Sequence, residues 1–331
     1  MSQVSTPPSA SQSHSAQIHL VKHPILWLRA FWKFSRPHTI VGTSLSVLGV
    51  FVMAMSRNGE WGVGSDRGFI PMLLSGFLTL LACLGGNIYI VGLNQLEDVA
   101  IDRINKPHLP LASGEFSRQQ GVWIISVMAV LAIALAWLQG FYLLAMVLFS
   151  LLIGTAYSLP PIRLKRFPFW ASVCIFTVRG VVVNLGLFLH FNQGFPIPPN
   201  VWTLTVFILV FTLAIAIFKD IPDAEGDRQY NITTFTLTLG QQTVFNLTRW
   251  ILTACYFGII FTAIFGLPGV NVPLLISTHL AAISLFWIRS FTLDLKDKAA
   301  ISRFYQFIWK LFFVEYLLFP VLCLPWLNIT I

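Results

Sequence analysis

Two sets of carboxylates carry most of the chemical information in this chain. In the first, Asn94, Asp98 and Asp102 stand at i, i+4 and i+8, so on a helix they stack along one face. In the second, Asp220, Asp223 and Asp227 stand at i, i+3 and i+7, again one face, and Glu97, Glu115 and Glu225 lie close by. Like charges at such spacing repel and raise one another's pKa unless something positive lies between them. A hard divalent cation is the natural neutraliser. Mg2+ characteristically takes one or two carboxylates together with a substrate's phosphate oxygens, rather than an all-protein cage. Basic residues surround both sets: Arg103 and Lys106 follow the first, Lys219 and Arg228 bracket the second, and Arg163, Lys165 and Arg166 fall between them. Such side chains can share the charge of a departing diphosphate with the metal. Two facing carboxylate helices therefore predict a metal–diphosphate site; the alternative is a pair of solvated acidic loops.

Only a membrane protein can position these clusters. Of 331 residues, 56% are hydrophobic and 10% charged, with a mean hydropathy of +0.75. A soluble domain carries about 25% charged residues, and 29 Phe exclude a disordered chain. Nine apolar runs have the length a spanning helix needs: 38–56, 70–93, 121–138, 141–158, 169–191, 201–218, 245–266, 272–289 and 305–326. Backbone groups must be satisfied inside the hydrocarbon, so these runs are helices, without the short alternating strands of a barrel. The expected fold is all-α: residues 25–331 form a nine-helix transmembrane bundle around a central cavity, behind a disordered tail over 1–24.

Charge sets the orientation. Lys and Arg gather before span one and after spans two, four, six and eight, whereas the connections after spans three, five and seven have none. Arg57 and Arg67 alone sit on the other side, balanced by Glu60 and Asp66. The positive-inside rule then places the N-terminus inside and the C-terminus outside, and explains the net charge of +8 without nucleic acid. Both acidic sets fall on the inner face, so the Asn231 and Asn246 glycosylation sequons do too and are expected to stay unmodified; a third sequon starts at Asn328. Cys83, Cys174, Cys255 and Cys323 lie far apart in apolar runs, which predicts buried thiols rather than a disulfide framework or a zinc site. Several polar residues inside or beside the spans have two readings. Arg179 either binds an acidic acceptor or partners another polar group; Glu315 either packs helices or takes part in chemistry; His38 sits at the inner end of span one, while His190 and His279 are read as structural.

The stretch from Asn94 through Asp98 and Asp102 to Lys106-Pro107 resembles the first motif, NxxxDxxxD, of the UbiA superfamily of intramembrane aromatic prenyltransferases. Lys219-Asp220 through Asp223 to Asp227-Arg228 resembles their second aspartate-rich motif. Further segments resemble the homogentisate-prenylating branch: Ser35-Arg36-Pro37-His38-Thr39, Leu109 to Gly114, Ala156-Tyr157 through Pro161 to Lys165-Arg166, Thr177-Val178-Arg179-Gly180, and Phe304 to Lys310. The likeness covers about residues 31–326.

By that resemblance, Asn94, Asp98, Asp102, Asp220, Asp223 and Asp227 hold Mg2+, with Asp98, Asp102, Asp220 and Asp227 the catalytic core. Arg103, Lys106, Arg163, Lys165, Lys219 and Arg228 would contact the phosphates, and Arg179 and Tyr157 the aromatic acceptor. Many superfamily members carry Tyr-x-x-x-Lys after span four; here Pro161 stands four residues after Tyr157, and Arg163 and Lys165 follow. The implied substrates are phytyl diphosphate and homogentisate, joined with loss of CO2 to give 2-methyl-6-phytylbenzoquinol, a tocopherol precursor, in a cyanobacterial or plastid membrane. The same apparatus serves geranylgeranyl or solanesyl transfer and chlorophyll synthesis. A membrane transporter is the reading from outside the enzymes; its site would lie near the midplane between inverted repeats, whereas both acidic sets here belong to one surface.

Overall fold

The computed structural model describes residues 18, 20–58, 68–230 and 232–325. Glu60, Asp66, Arg67, the sequons at Asn231 and Asn328, and most of the expected tail lie outside the described residues. Within the stretch 1–24, Ile18 is tied down: its N–H donates to the Glu115 carbonyl at 3.1 Å and its carbonyl accepts from Gln120 Nε2 at 2.8 Å.

Fifteen α-helices follow in chain order among the described residues. They are α1 (Pro24–Phe34), α2 (Pro37–Asn58), α3 (Phe69–Glu97), α4 (Val99–Asn105), α5 (Pro110–Ser113), α6 (Arg118–Gln139) and α7 (Phe141–Ser158). After these come α8 (Pro168–Phe176), α9 (Val183–Asn192), α10 (Pro199–Phe218), α11 (Asp220–Gln229) and α12 (Phe235–Leu239). The chain closes with α13 (Gln241–Ile264), α14 (Val272–Phe291) and α15 (Lys298–Leu322). Among the described residues, nine helical segments are long and apolar enough to cross a bilayer: α2, α3, α6, α7, the run Pro168–Asn192, α10, α13, α14 and α15. They coincide with the nine expected runs, the largest difference being the ninth, which begins at Lys298. The fold is therefore the all-α bundle read from hydropathy.

Local chemistry explains the boundaries. Pro opens α1, α2, α5, α8 and α10, where its missing N–H costs nothing. Ser117 and Gln120 form a reciprocal capping box at the start of α6, and Asn271 caps α14. Gly140, at φ 111°, turns the chain between α6 and α7 in a conformation other residues rarely adopt. All four cysteines are buried and unpaired.

Two features depart from uniform spanning helices. Span five is not α-helical throughout: Thr177–Val182 form a π-helical turn between α8 and α9. Hydropathy cannot register one extra residue in a turn. At the end of α3 the helix breaks at Asp98 (φ −111°, ψ 15°) and resumes as α4, so the first carboxylate set does not lie on one unbroken helix. The hydrogen-bond ladder nevertheless runs on, with Asp98 N–H to the Asn94 carbonyl at 3.0 Å and Asp102 N–H to the Asp98 carbonyl at 2.7 Å.

The helices close a ring. α2 packs between α3 and α15 and also against α9; α9 touches α7 and α10; α10 packs on α13 and α15; and α6 covers the outer side of α3. The inner-end helices α4 and α11 pack directly on each other across the mouth of this ring.

Candidate active site

The ring encloses a cavity of about 330 Å³. Its mouth is lined by Asn94, Asp98 and Asp102 from one side and Asp220, Asp223 and Asp227 from the other. Its inner wall is apolar, with Ile90, Met146, Val147, Leu151, Ile175 and Val178. The two halves are fastened together. Asn105 Oδ1, at the end of α4, accepts a hydrogen bond from the Gly226 N–H of α11 at 2.9 Å. Next to it, Lys106 Nζ lies 2.6 Å from Asp223 Oδ2.

Each carboxylate has a cationic neighbour or is buried. Asp98 Oδ1 accepts from Lys165 Nζ and from Arg163 Nη2, the latter at 3.1 Å, while its Oδ2 accepts from Asn94 Nδ2 at 2.9 Å. Lys219 Nζ lies 3.1 Å from Asp220 Oδ1. Asn94 Oδ1 accepts from Arg36 Nη2 at 3.1 Å, and that guanidinium stands 3.8 Å from Asp102 Oδ2. Asp102 is only 5% exposed, and its Oδ2 is buried without a hydrogen bond. Burial raises the Asp102 pKa against the pull of Arg36 and Lys106, and the charges of Asp98 and Asp223 raise it further. Burial also raises Asp227, to about 7, with Asp223 and Asp220 adding to the rise and Lys219 and Lys106 opposing it. Burial lowers Lys165 against the attraction of Asp98.

Among the described residues no three His, Cys, Asp or Glu side chains converge as they stand to hold a metal ion. The donor set still fits a hard divalent cation. It consists of carboxylate and amide oxygens, one Asp102 oxygen lacks any hydrogen bond, and lysine and arginine groups, not apolar packing, lie between the acids.

The structure sorts the expected phosphate contacts. Lys106, Lys165 and Lys219 line the cavity, and Arg163 reaches Asp98 from its rim. Arg103 and Arg228 are exposed and lie outside the lining. Helical phase accounts for this: each is one residue, about 100°, round the helix from an inward aspartate. Lys106 and Lys219, four residues from Asp102 and Asp223, share the aspartates' face.

Of the acceptor candidates, Tyr157 lines the cavity, and Arg179 projects into it from the π-helical turn. The Arg179 guanidinium carbon lies 4.8 Å from the Trp309 ring centroid and 5.7 Å from that of Phe312, so aromatic faces hold it. Glu315 pairs with His279 (3.3 Å) inside the bundle and does not line the cavity, as the packing reading expects. His190 hydrogen-bonds Thr79 at 3.0 Å, a structural contact.

Arg36, Asn105, Tyr305 and Trp309 were not singled out for chemistry in the sequence, yet all line the cavity. Arg36 is a non-glycine residue at φ 51°, in the tight turn joining α1 to α2. The visible signal was a cation followed directly by the Pro that opens a span. Its partners lie 58 and 66 residues away and could not be read locally.

The fold and its cavity define a class: a membrane-embedded helical enzyme chamber, ionic at one mouth and apolar within. The chain belongs to the UbiA prenyltransferase family, whose model matches residues 45–311. It is 53% identical over 309 residues to the homogentisate phytyltransferase of Synechocystis sp., a match covering 92% of this chain and 99% of that protein. It is 41% identical over 310 residues to the chloroplastic homogentisate phytyltransferase 1 of Arabidopsis thaliana, covering 89% of this chain and 75% of that one. In fold it resembles a UbiA homolog from Archaeoglobus fulgidus solved bound to DMAPP and Mg2+, with a TM-score of 0.60, 16% identity, and coverage of 88% of this chain and 99% of that one.

Proposed function

We propose that this enzyme transfers a phytyl group from its diphosphate to homogentisate, with loss of CO2, giving 2-methyl-6-phytylbenzoquinol for tocopherol synthesis. The observation that carries the reading is the facing of two carboxylate helices, interleaved with lysines, across the mouth of an apolar chamber. Similarity to the two homogentisate phytyltransferases supports the choice of substrates.

Asn94, Asp98 and Asp102 on one side and Asp220, Asp223 and Asp227 on the other would hold Mg2+. When bound, the metal supplies charge neutralisation for the leaving diphosphate. Lys106, Lys165, Lys219, Arg163 and Arg36 bind and orient the phosphates, and their attraction grows as negative charge develops on the leaving group. The prenyl tail lies along Met146, Val147, Leu151, Ile175 and Val178, which exclude the water that would quench an allylic cation. Arg179 pairs with the acceptor's carboxylate, and Tyr157 packs beside the acceptor. The cationic inner loops set the mouth on the inside of a cyanobacterial or plastid membrane, with the N-terminus on the same side.

Membranes carrying the protein, supplied with Mg2+ and homogentisate, test this against phytyl, geranylgeranyl and solanesyl diphosphate. Phytylated product at the highest kcat/KM is expected. No product from the first two donors would end the phytyl assignment.

A further inference from the structure

We propose that His38 is the catalytic base that takes the acceptor's ring-hydroxyl proton as the new carbon–carbon bond forms. The inference rests on the reading of the acceptor as a hydroxyaromatic acid.

His38 lies in the first turn of α2, directly after Arg36-Pro37, and lines the chamber. Its imidazole stands edge-on to Trp309 at 4.9 Å between centroids, which fixes the ring plane. Among the described residues neither ring nitrogen makes a hydrogen bond to the protein, so both stay available to a ligand. The charged side chains that act on it are Arg36, Arg179 and Lys106. Arg36 and Lys106 belong to the diphosphate mouth, through Asn94 and Asp223. Arg179 belongs to the acceptor end, against Trp309 and Phe312. Trp309 touches both His38 and Arg179, so one aromatic side chain ties the imidazole to the acceptor's cation. The imidazole therefore sits where the donor's reactive carbon, held from one side, meets the acceptor ring, held from the other.

The electron count is simple. The allylic C–O bond breaks and its pair leaves on the diphosphate. A ring π pair forms the C–C bond, and the hydroxyl's O–H pair moves into the ring as the proton passes to an imidazole nitrogen. The resulting dienone regains aromaticity when the hydrogen at the new bond leaves to the diphosphate and the imidazolium returns its proton to the oxygen. Alkylation thus releases one proton, and the side-chain CH2 carbon takes one up when its bond to the carboxylate breaks and CO2 leaves, so the whole reaction releases none. The surrounding charges make this conditional on both substrates. Diphosphate pairs with Arg36 and Lys106 and a carboxylate pairs with Arg179, which removes the repulsion an imidazolium would otherwise meet. The ternary complex thereby lifts the charge repulsion that opposes proton transfer to the imidazole.

The test compares the wild type with His38→Gln and His38→Ala in membranes, using homogentisate, phytyl diphosphate and Mg2+. Gln keeps a hydrogen-bonding side chain of similar reach but cannot carry the proton. General-base loss lowers rates by about 10²- to 10⁴-fold. We expect kcat of His38→Gln to fall at least about 100-fold with both KM values and Mg2+-dependent donor binding nearly unchanged, and added imidazole to restore His38→Ala. A His38→Gln kcat near the wild-type value overturns the assignment. So does a loss confined to KM or donor binding, or a His38→Ala variant that imidazole does not rescue. Wild-type protein that converts no homogentisate would instead defeat the substrate reading, and the base assignment with it.

Discussion

Gly226 offers the sharpest probe of how the two carboxylate helices are held in register. A Cβ built there would meet Asn105 Oδ1 at 2.5 Å, Nδ2 at 2.6 Å and Cγ at 2.7 Å, well inside van der Waals contact. In Gly226→Ala the whole Asn105 amide must retreat by close to an ångström, breaking the 2.9 Å hydrogen bond that joins α4 to α11. Misplacement of catalytic groups by about 1 Å costs on the order of 100-fold, so kcat/KM should drop by about that factor and the Mg2+ concentration for half-activity should rise. Asn105→Ala removes only the hydrogen bond, worth about 0.5–1.5 kcal/mol, a loss of about 2- to 13-fold. The double variant Asn105→Ala/Gly226→Ala has no amide left to collide with and should match Asn105→Ala alone. Steady-state kinetics across a Mg2+ titration, with thermal unfolding in detergent to monitor integrity, separates these cases. A double variant as impaired as Gly226→Ala, or a fully active Gly226→Ala, would refute the reasoning.

Other outcomes follow from the same geometry. Asp98→Asn or Asp227→Asn should abolish turnover while leaving membrane insertion intact, measured by product formation against protein recovered in the membrane fraction; retained activity would remove the carboxylates from the metal role. EDTA should silence the wild type and added Mg2+ restore it. Because Asp227 titrates at about 7 in the metal-free site, Mg2+ must displace a proton below that pH and none above it. Apparent Mg2+ affinity should therefore be flat above pH 7 and weaken by up to about tenfold per unit below it, as read from half-activation at pH 6, 7 and 8. Arg179→Met should raise the homogentisate KM by about 10- to 100-fold, the value of a charge-assisted hydrogen bond of about 1.5–3 kcal/mol, and leave the donor KM unchanged.

The spans were legible because each needs an uninterrupted apolar run, and the gaps between the runs marked where the chain turns. The inward acids were legible for a related reason: their spacing matches the helix period. What escaped the sequence depends on backbone detail or on distant partners. The π-helical turn that carries Arg179 leaves hydropathy unchanged, and the break at Asp98 disturbs neither period nor composition. Arg103 and Arg228 were drawn in by adjacency to aspartates although their helical phase points them elsewhere. Arg36 was passed over because the α1–α2 turn, set at φ 51°, brings it across the bundle to Asn94. Sequence pattern reports periodic faces well; it does not report which turn delivers a lone side chain to a remote wall.

The lysines that already clasp Asp98, Asp220 and Asp223 also bear on biogenesis. An ionised carboxylate resists entry into the hydrocarbon by about 2.5–3.5 kcal/mol at a helix centre, and several near the ends of neighbouring helices would burden a newly made chain. With internal counter-ions supplied by the loops themselves, the nascent protein can thread the bilayer before any magnesium arrives. On the proposed function, loading would be an exchange of partners, in which each ammonium releases an aspartate and takes up a phosphate oxygen.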